Sequence, residues 1–354
     1  MSQHPYVGLP SRAFWKQAVS ERNAMELEEV YLPRFPISKD DVIAAAGSCF
    51  AQHIGKQFKV RGYNYLDAEP APPLLPETER QKFGYDIYSA RYGNIYSARQ
   101  LVQTFARAQG DFSPLDSVWS ENGRIYDPFR PTIEPDGYAD LSEMRLHQAA
   151  HFDAVNSLLR RADLFVFTFG LTEAWENLHD GAIYPTCPGT HHGTFDPESH
   201  RFVNFRFSDV LSDFEEFISL ARSINPEMRF LLTVSPVPLV ATASGNHVLP
   251  ATYESKSILR AVCGELYEKY DFVDYFPSYE LVSSHPMRAL AFEPNLRTVS
   301  GAGVAQVMDT FFRAHGDEGA APLAALEAPE AVSDIAPPDD DTVCDELVLE
   351  KFGR

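Results

Sequence analysis

Residues 43–55 read Ile-Ala-Ala-Ala-Gly-Ser-Cys-Phe-Ala-Gln-His-Ile-Gly. The opening apolar run predicts a short buried strand that ends at Gly47, and the apolar residues that recur from Phe50 onward predict a helix. Ser48 and Cys49 then lie at a helix N-terminus, where unpaired N–H groups and a partial positive charge favour a thiolate or an oxyanion. Both residues are therefore candidate nucleophiles. The alternative is structural, with Ser48 as the N-cap and Cys49 as a small buried apolar residue.

The rest of the chain alternates apolar runs with amphipathic helical patterns. Strands are predicted at residues 164–169, 230–234 and 272–275, and helices at residues 98–108, 147–161, 208–224, 254–270 and 302–312. This alternation predicts an α/β fold with a parallel sheet covered by helices on both faces. Residues 70–81, 113–139 and 184–204 lack clear periodicity and are predicted to form loops or a cap.

Candidate residues follow three of the predicted strands directly. Ser48 and Cys49 end the first strand, residues 170–173 end the second, and Ser235 ends the third. Ligands of parallel sheets bind beyond the carboxyl ends of the strands. The sequence therefore predicts a site at this edge of the sheet.

Five segments resemble the GSCFA domain, a branch similar to the SGNH/GDSL hydrolases. In chain order they are Gly47-Ser48-Cys49-Phe50-Ala51, Tyr92-Gly93-Asn94-Ile95-Tyr96-Ser97, Phe169-Gly170-Leu171-Thr172-Glu173-Ala174-Trp175, Thr233-Val234-Ser235-Pro236-Val237-Pro238 and Asp274-Tyr275-Phe276-Pro277-Ser278-Tyr279-Glu280. The resemblance covers roughly residues 30–312. It implies a three-layer α/β/α fold with a mostly parallel, doubly wound sheet, and it leaves the substrate open.

The resemblance also implies roles for single residues. The related hydrolases read Gly-Asp-Ser, which places Cys49 in the nucleophile position, whereas a register shifted by one residue makes Ser48 the nucleophile. The implied oxyanion donors are Gly93, Asn94, Gly170 and Thr172. A structural alternative, in which Gly93 and Gly170 serve only as turns, stays open.

The catalytic base departs from the hydrolase pattern. The positions of the usual Asp-x-x-His hold Asn295 and Thr298, so no ordinary dyad forms there. His247 and His285 are the candidate bases, because imidazole titrates near neutral pH. Three further residues are predicted to bind substrate: His53, Glu173 and Lys256, the last as an anchor for an acidic group.

Composition limits the classes of partner. The chain has 354 residues and a formal charge of −20, which argues against general affinity for nucleic acids or anionic membranes. No apolar stretch reaches the roughly 18 residues that a membrane helix requires. Four widely spaced cysteines favour reduced thiols, and without an export signal a cytoplasmic location is expected. The adjacent residues His191 and His192 do not form a metal motif, so no metal or other cofactor is expected.

The chain is predicted to consist of an extension at residues 1–29, a domain at residues 30–315 and an acidic tail at residues 316–354. The tail has eleven acidic and two basic residues and therefore supplies −9 of the net charge. It is predicted to be disordered, unless Leu347–Leu349 and Phe352 dock, and its partner is unknown.

The resemblance to the GSCFA domain, together with the residues at the strand ends, implies two alternative functions. The first is an esterase or acyltransferase that acts on a small-molecule or glycan-linked acyl ester through Cys49 or Ser48. The second is a non-catalytic binding or scaffold module, in which the fold is kept without the Asp-x-x-His pair.

Overall fold

The computed structural model describes residues 4–317 and 344–353, which divide between two compact units. The larger unit comprises Ser38–Tyr275 and Asp341–Arg354, and the smaller comprises Met1–Ile37 and Phe276–Asp340. The larger unit holds all nine strands found in the described residues. These are β1 (Ile43–Gly47), β2 (Trp119–Glu121), β3 (Arg124–Tyr126), β4 (Leu164–Phe169), β5 (Glu173–Asn177), β6 (Ile183–Tyr184), β7 (His200–Asn204), β8 (Arg229–Val234) and β9 (Val273–Tyr275).

The central sheet has four parallel strands in the order β1-β4-β8-β9. On the outer side of β1, Tyr65 forms a parallel bridge with Ile43, and the Ile43 N–H donates to Asn64 O at 2.9 Å. The chain thus leaves β1 toward one side and later returns to build the sheet on the other side. This reversal beside β1 makes the sheet doubly wound, and ligands of such sheets bind at the switch point. The predicted α/β class is confirmed.

Helices flank the sheet of the larger unit. They are α1 (Phe50–Val60), α2 (Glu77–Arg80), α3 (Ala98–Gln109), α4 (Leu141–Arg161), α5 (Phe207–Ile224) and α6 (Val248–Lys269). Alternate residues of β4 lie on one face of the sheet, so Phe165 and Phe167 pack together against helices. Phe165 contacts Phe105 of α3, and Phe167 contacts Phe214 of α5.

Side-chain caps explain where two helices begin. Asp140 accepts from the Glu143 N–H at 2.9 Å, so α4 begins six residues before the predicted start. His247 accepts through Nδ1 from the Leu249 N–H at 3.1 Å, which also moves the start of α6 six residues toward the N-terminus.

Two of the predicted loops contain strands, and that part of the prediction is wrong. Residues 113–139 include the β2–β3 hairpin, and residues 184–204 include β7 of the antiparallel sheet β6-β5-β7. The hairpin turns at Asn122 and Gly123, which both have positive φ angles, 50° and 75°. An Asn-Gly pair is the strongest short-range signal for such a turn.

The smaller unit contains α7 (Ser278–Ser283) and α8 (Gly301–Ala314). Its core includes an aromatic cluster in which Tyr31 stacks on Phe311 and meets Phe276 edge to face. No helix of residues 4–317 or 344–353 is both long and apolar enough to cross a membrane.

The C-terminal segment Cys344–Gly353 belongs to the larger unit and contains a 3-10 helix, Asp345–Phe352. The expected disorder of the tail falls mainly on residues 318–343, which lie outside the described residues. In the part that is described, Asp345 and Glu346 are buried, whereas Leu347 and Phe352 are exposed.

Candidate functional site

The carboxyl end of β1 turns sharply into α1. Gly47 has a φ of 145°, and the Ser48 N–H donates to Thr168 O at 3.1 Å. Ser48 is 3% exposed, and its hydroxyl has no hydrogen-bond partner within the described residues. The hydroxyl therefore does not cap α1, so the structural alternative for Ser48 is not supported. Cys49 directly precedes the helix and is 7% exposed.

Asn94 presents its amide nitrogen near this strand end. Its Oδ1 accepts from Gln52 Nε2 at 3.3 Å and lies 2.5 Å from Tyr88 Oη, so Nδ2 must face the opposite way. Tyr88 Oη also donates toward Ser48 O at 3.2 Å. These contacts orient Asn94 as a hydrogen-bond donor beside the candidate nucleophiles.

Gly93 supplies a second donor next to Asn94. Its φ of 70° lies in the left-handed region, where glycine is favoured. Its N–H makes no hydrogen bond within residues 4–317 and 344–353. The loop thus offers one open backbone donor and one oriented amide.

Gly170 and Thr172 use their donors inside the fold. The Gly170 N–H donates to Tyr96 O at 3.0 Å, and the Thr172 N–H donates to Ser255 Oγ at 3.0 Å. The Thr172 hydroxyl donates to Asn204 Oδ1 at 2.6 Å. These bonds favour the Gly93 N–H over the Gly170 and Thr172 donors as a group that could face a ligand.

The lack of a side chain at Gly170 leaves room for Ser48 at the turn between β1 and α1. A Cβ at Gly170 would lie 2.9 Å from Ser48 Cβ, which is closer than side chains pack. The Gly170 carbonyl accepts from Lys256 Nζ at 2.7 Å, and Lys256 is only 1% exposed. Lys256, the predicted anchor for an acidic substrate, is therefore a buried amine that also bonds the loop after β4.

The C-terminal helix places Asp345 on the donor side of Asn94. Asn94 Nδ2 donates to Asp345 Oδ2 at 2.8 Å, and the Thr132 hydroxyl donates to Asp345 Oδ1 at 2.9 Å. His191 Nε2 lies 2.9 Å from Asp345 O. Burial raises the pKa of Asp345, although the bonds from Asn94 and Thr132 oppose that shift. A carboxylate thus lies where the amide would meet a ligand.

Burial dominates the electrostatics of the neighbouring phenols. It raises the pKa of Tyr88 well above its usual value, and the nearby charge of Cys49 adds to that shift. The pKa of Tyr96 is raised in the same way, first by burial and then by Asp345. Both phenols remain protonated at neutral pH and can act as donors.

A buried ionic cluster anchors the loop that carries Gly93 and Asn94. The Arg91 N–H donates to Glu69 Oε2 at 2.8 Å, and Arg130 Nη1 donates to Arg91 O at 3.2 Å. His151 Nδ1 lies 2.7 Å from the same Glu69 oxygen. Burial would raise the pKa of Glu69, but His151 and Arg130 outweigh it and lower the value to about 2. Sequence reasoning missed this cluster because its members are far apart along the chain.

The predicted histidines have separate surroundings. His247 is exposed and caps α6 through Nδ1. His285 lies in the smaller unit, where its ring stacks on Trp15 at 5.4 Å between centroids. His53 of α1 meets Phe50 edge to face at 5.5 Å. The assignment of a base stays a prediction, because Ser48 Oγ donates no hydrogen bond to a histidine in the described residues.

A cavity of about 360 Å³ lies in the larger unit, and Glu173 is one of its few charged residues. Its wall is mostly apolar and includes Leu171, Trp175, Pro185, Phe202, Leu239, Leu349 and Phe352. Glu173 accepts from the Thr242 hydroxyl at 2.7 Å, and burial raises its pKa. Leu349 and Phe352 come from the C-terminal helix, so the segment that places Asp345 on Asn94 also forms part of this wall.

No cluster of residues suited to a metal ion occurs in the described parts of the chain.

Comparisons with known proteins give a family and two distant likenesses in structure. One solved structure, a GDSL-like lipase from Bacteroides thetaiotaomicron, is 12% identical, with a TM-score of 0.28 over 46% of this chain and 70% of the lipase. An acetyl xylan esterase from the rumen bacterium Butyrivibrio proteoclasticus is 13% identical, with a TM-score of 0.23 over 69% of this chain and 56% of the esterase. Among curated proteins, none matches the chain. The model of the GSCFA family matches residues 42–311, which include the strand end, the Gly93–Asn94 loop and the loop after β4, and the chain belongs to the GSCFA family.

Proposed function

We propose that this protein is an esterase or acyltransferase that attacks an acyl ester with Cys49 or Ser48. The carrying observation is the buried Ser48 hydroxyl at the switch point of the sheet, which has no hydrogen-bond partner among residues 4–317 and 344–353. Leaving such a group unpaired costs about 1–3 kcal/mol, and a fold retains this cost most readily where the group has a use. Cys49, the next residue, has the further advantage of a thiol at a helix start.

The donors beside the strand end fit the chemistry of acyl transfer. Attack on an ester carbonyl forms a tetrahedral oxyanion, which fixed N–H donors stabilise. The Gly93 N–H and the Asn94 amide are the proposed donors, and the bond from Asn94 Nδ2 to an Asp345 carboxyl oxygen supports this position as one that binds an oxygen acceptor. His247 and His285 remain the proposed bases, and the apolar cavity beside Glu173 suits an acyl group.

The substrate class is a small-molecule or glycan-linked acyl ester. The two structural neighbours are named as a lipase and an acetyl xylan esterase, and both names describe enzymes of ester bonds. Their structural likeness is too low to support the assignment, which rests on the site.

The test combines a fluorophosphonate probe, an acyl-ester probe and mapping of the labelled residue by mass spectrometry. We expect label at residue 48 or 49 and loss of that label in Ser48→Ala or Cys49→Ala. Cys263→Ala is the matched control, because Cys263 is fully buried in α6. Asn94→Ala should lower kcat by about 10²-fold, the usual effect of removing one oxyanion donor. Labelling that persists in both nucleophile variants refutes the assignment.

A binding module is the second candidate function. Two observations favour it. No base contacts Ser48 Oγ within the described residues, and the Asp345 carboxyl group already accepts a hydrogen bond from Asn94 Nδ2. Turnover of acyl esters that disappears in His247→Ala or His285→Ala would exclude this candidate.

A further inference from the structure

The C-terminal helix makes specific polar contacts with the candidate site. Asp345 is 5% exposed and receives one hydrogen bond on each carboxylate oxygen, from Asn94 and from Thr132. His191 adds a contact to the backbone carbonyl of the same residue. A surface tail without a binding site would not bury a carboxyl group, because desolvation of a charged group is costly unless polar partners replace water.

Apolar contacts extend the same docking surface. Leu349 and Phe352 line the cavity together with Leu171 and Phe202. They lie four and seven residues after Asp345 on the same short helix. The segment therefore presents an acidic residue to Asn94 and places Leu349 and the partly exposed Phe352 at the mouth of the cavity.

We propose that residues 344–353 are a built-in, displaceable ligand of the candidate site, in which the Asp345 carboxylate occupies the donor that would otherwise receive the oxyanion. A substrate carbonyl and this carboxylate cannot both use Asn94 Nδ2 in the same geometry. The site would thus be closed while the segment is docked and open after its release. The inhibitory consequence rests on the proposed function, whereas the binding of the segment does not.

The contacts around Asn94 connect the segment to the nucleophile turn. Asp345 bonds Asn94, Asn94 Oδ1 lies 2.5 Å from Tyr88 Oη, and Tyr88 Oη lies 3.2 Å from Ser48 O. Cys49 follows Ser48 and is nearly buried while the segment is docked. Release of the segment is therefore expected to increase access of small reagents to Cys49.

The experiment measures alkylation of Cys49 by iodoacetamide in the full chain, with mass spectrometry to separate the four cysteines. This reagent needs access to the thiol and does not need a catalytic base. In Asp345→Ala, loss of the two hydrogen bonds to the carboxyl group should raise the rate at Cys49 about tenfold or more. Glu350→Ala is the matched control, because it removes an exposed acidic residue of the same helix and should leave the rate unchanged.

Two further measurements separate release from unfolding. Cys263 is fully buried in α6 and must stay unreacted in every variant that keeps its fold. A synthetic peptide of residues 344–353, with Cys344→Ser, should restore protection of Cys49 in the Asp345→Ala protein. The same peptide with Asp345→Ala should not.

Equal alkylation of Cys49 in the wild type and in Asp345→Ala overturns the proposal, as does an equal increase in Glu350→Ala. Failure of the peptide to protect Cys49 while Cys263 stays unreacted also overturns it. If the peptide protects Cys49 but no variant turns over an acyl ester, the segment is a ligand of a binding module. In that case the proposed function fails and the docking stands.

Discussion

Replacement of Gly47 by alanine should destabilise the larger unit strongly. A Cβ at this position would lie 2.5 Å from Thr168 O and 2.8 Å from Thr168 N, both backbone atoms of β4. That backbone has no room to move, because β4 pairs with β1 on one side and with β8 on the other. Overpacking costs about 1–3 kcal/mol. The φ of 145° adds strain of about 1–3 kcal/mol for a residue other than glycine.

The expected loss is therefore about 4 kcal/mol in the free energy of unfolding, near the middle of the combined ranges. Gly62→Ala is the matched control, because Gly62 has a φ of 73° and a Cβ added there would meet no atom within 4 Å. It should cost only about 1–2 kcal/mol, the usual penalty of the left-handed region.

Urea unfolding followed by far-UV circular dichroism measures both variants. With a slope of about 3 kcal/mol per molar urea, Gly47→Ala should lower the midpoint by about 1 M or more. Equal midpoints for Gly47→Ala and Gly62→Ala would refute this reasoning. They would mean that β4 yields to the new methyl group, so that Gly47 is not required by close approach of the two strands.

Two more predictions concern buried side chains that can ionise. Burial lowers the pKa of His151 to about 4; Arg130 acts in the same direction and Glu69 opposes the shift. Between pH 6.5 and 4 the unfolded chain therefore binds a proton that the folded chain does not. The free energy of unfolding should thus fall by up to about 3 kcal/mol as the pH drops through this window, and His151→Gln should flatten the profile measured by urea unfolding at several pH values. Lys256→Met should lower the free energy of unfolding by about 1–3 kcal/mol, because the Gly170 carbonyl loses its buried hydrogen-bond donor. Thermal or urea unfolding measures this loss. An unchanged stability would show that the bond does not hold the loop.

Local patterns predicted the central elements well. Strand β4 has the predicted bounds, and α3 and α5 each differ from prediction by one residue at one end. Their apolar periodicity is strong because each packs a continuous face into the core, as Phe105 and Phe217 do against Phe165. The sites at strand ends followed from the same patterns, since parallel strands bring their carboxyl ends to one edge.

The missed features depend on contacts that no local pattern encodes. The sheet β6-β5-β7 consists of short strands whose pairing brings together distant segments, such as Glu173 and Asn204. Asp345 and Asn94 are 251 positions apart, and the acidic composition around Asp345 favoured a solvated tail. The contacts of Thr172 with Asn204 and of Lys256 with Gly170 became visible only in the fold, for the same reason.

Packing accounts for some residues of the strand end and leaves others unexplained. Gly47 is required by the approach of β4, and Phe50 is buried in the core at the start of α1. Ser48 differs, because alanine would fill the same space next to Gly170 without burying a hydroxyl that has no partner in the described parts of the chain. The oriented amide of Asn94 is also more polar than packing requires, and it is held in place by Tyr88 and Gln52. Stability alone would favour apolar groups at these two positions, so their presence together points to recognition of an oxygen at this edge of the sheet.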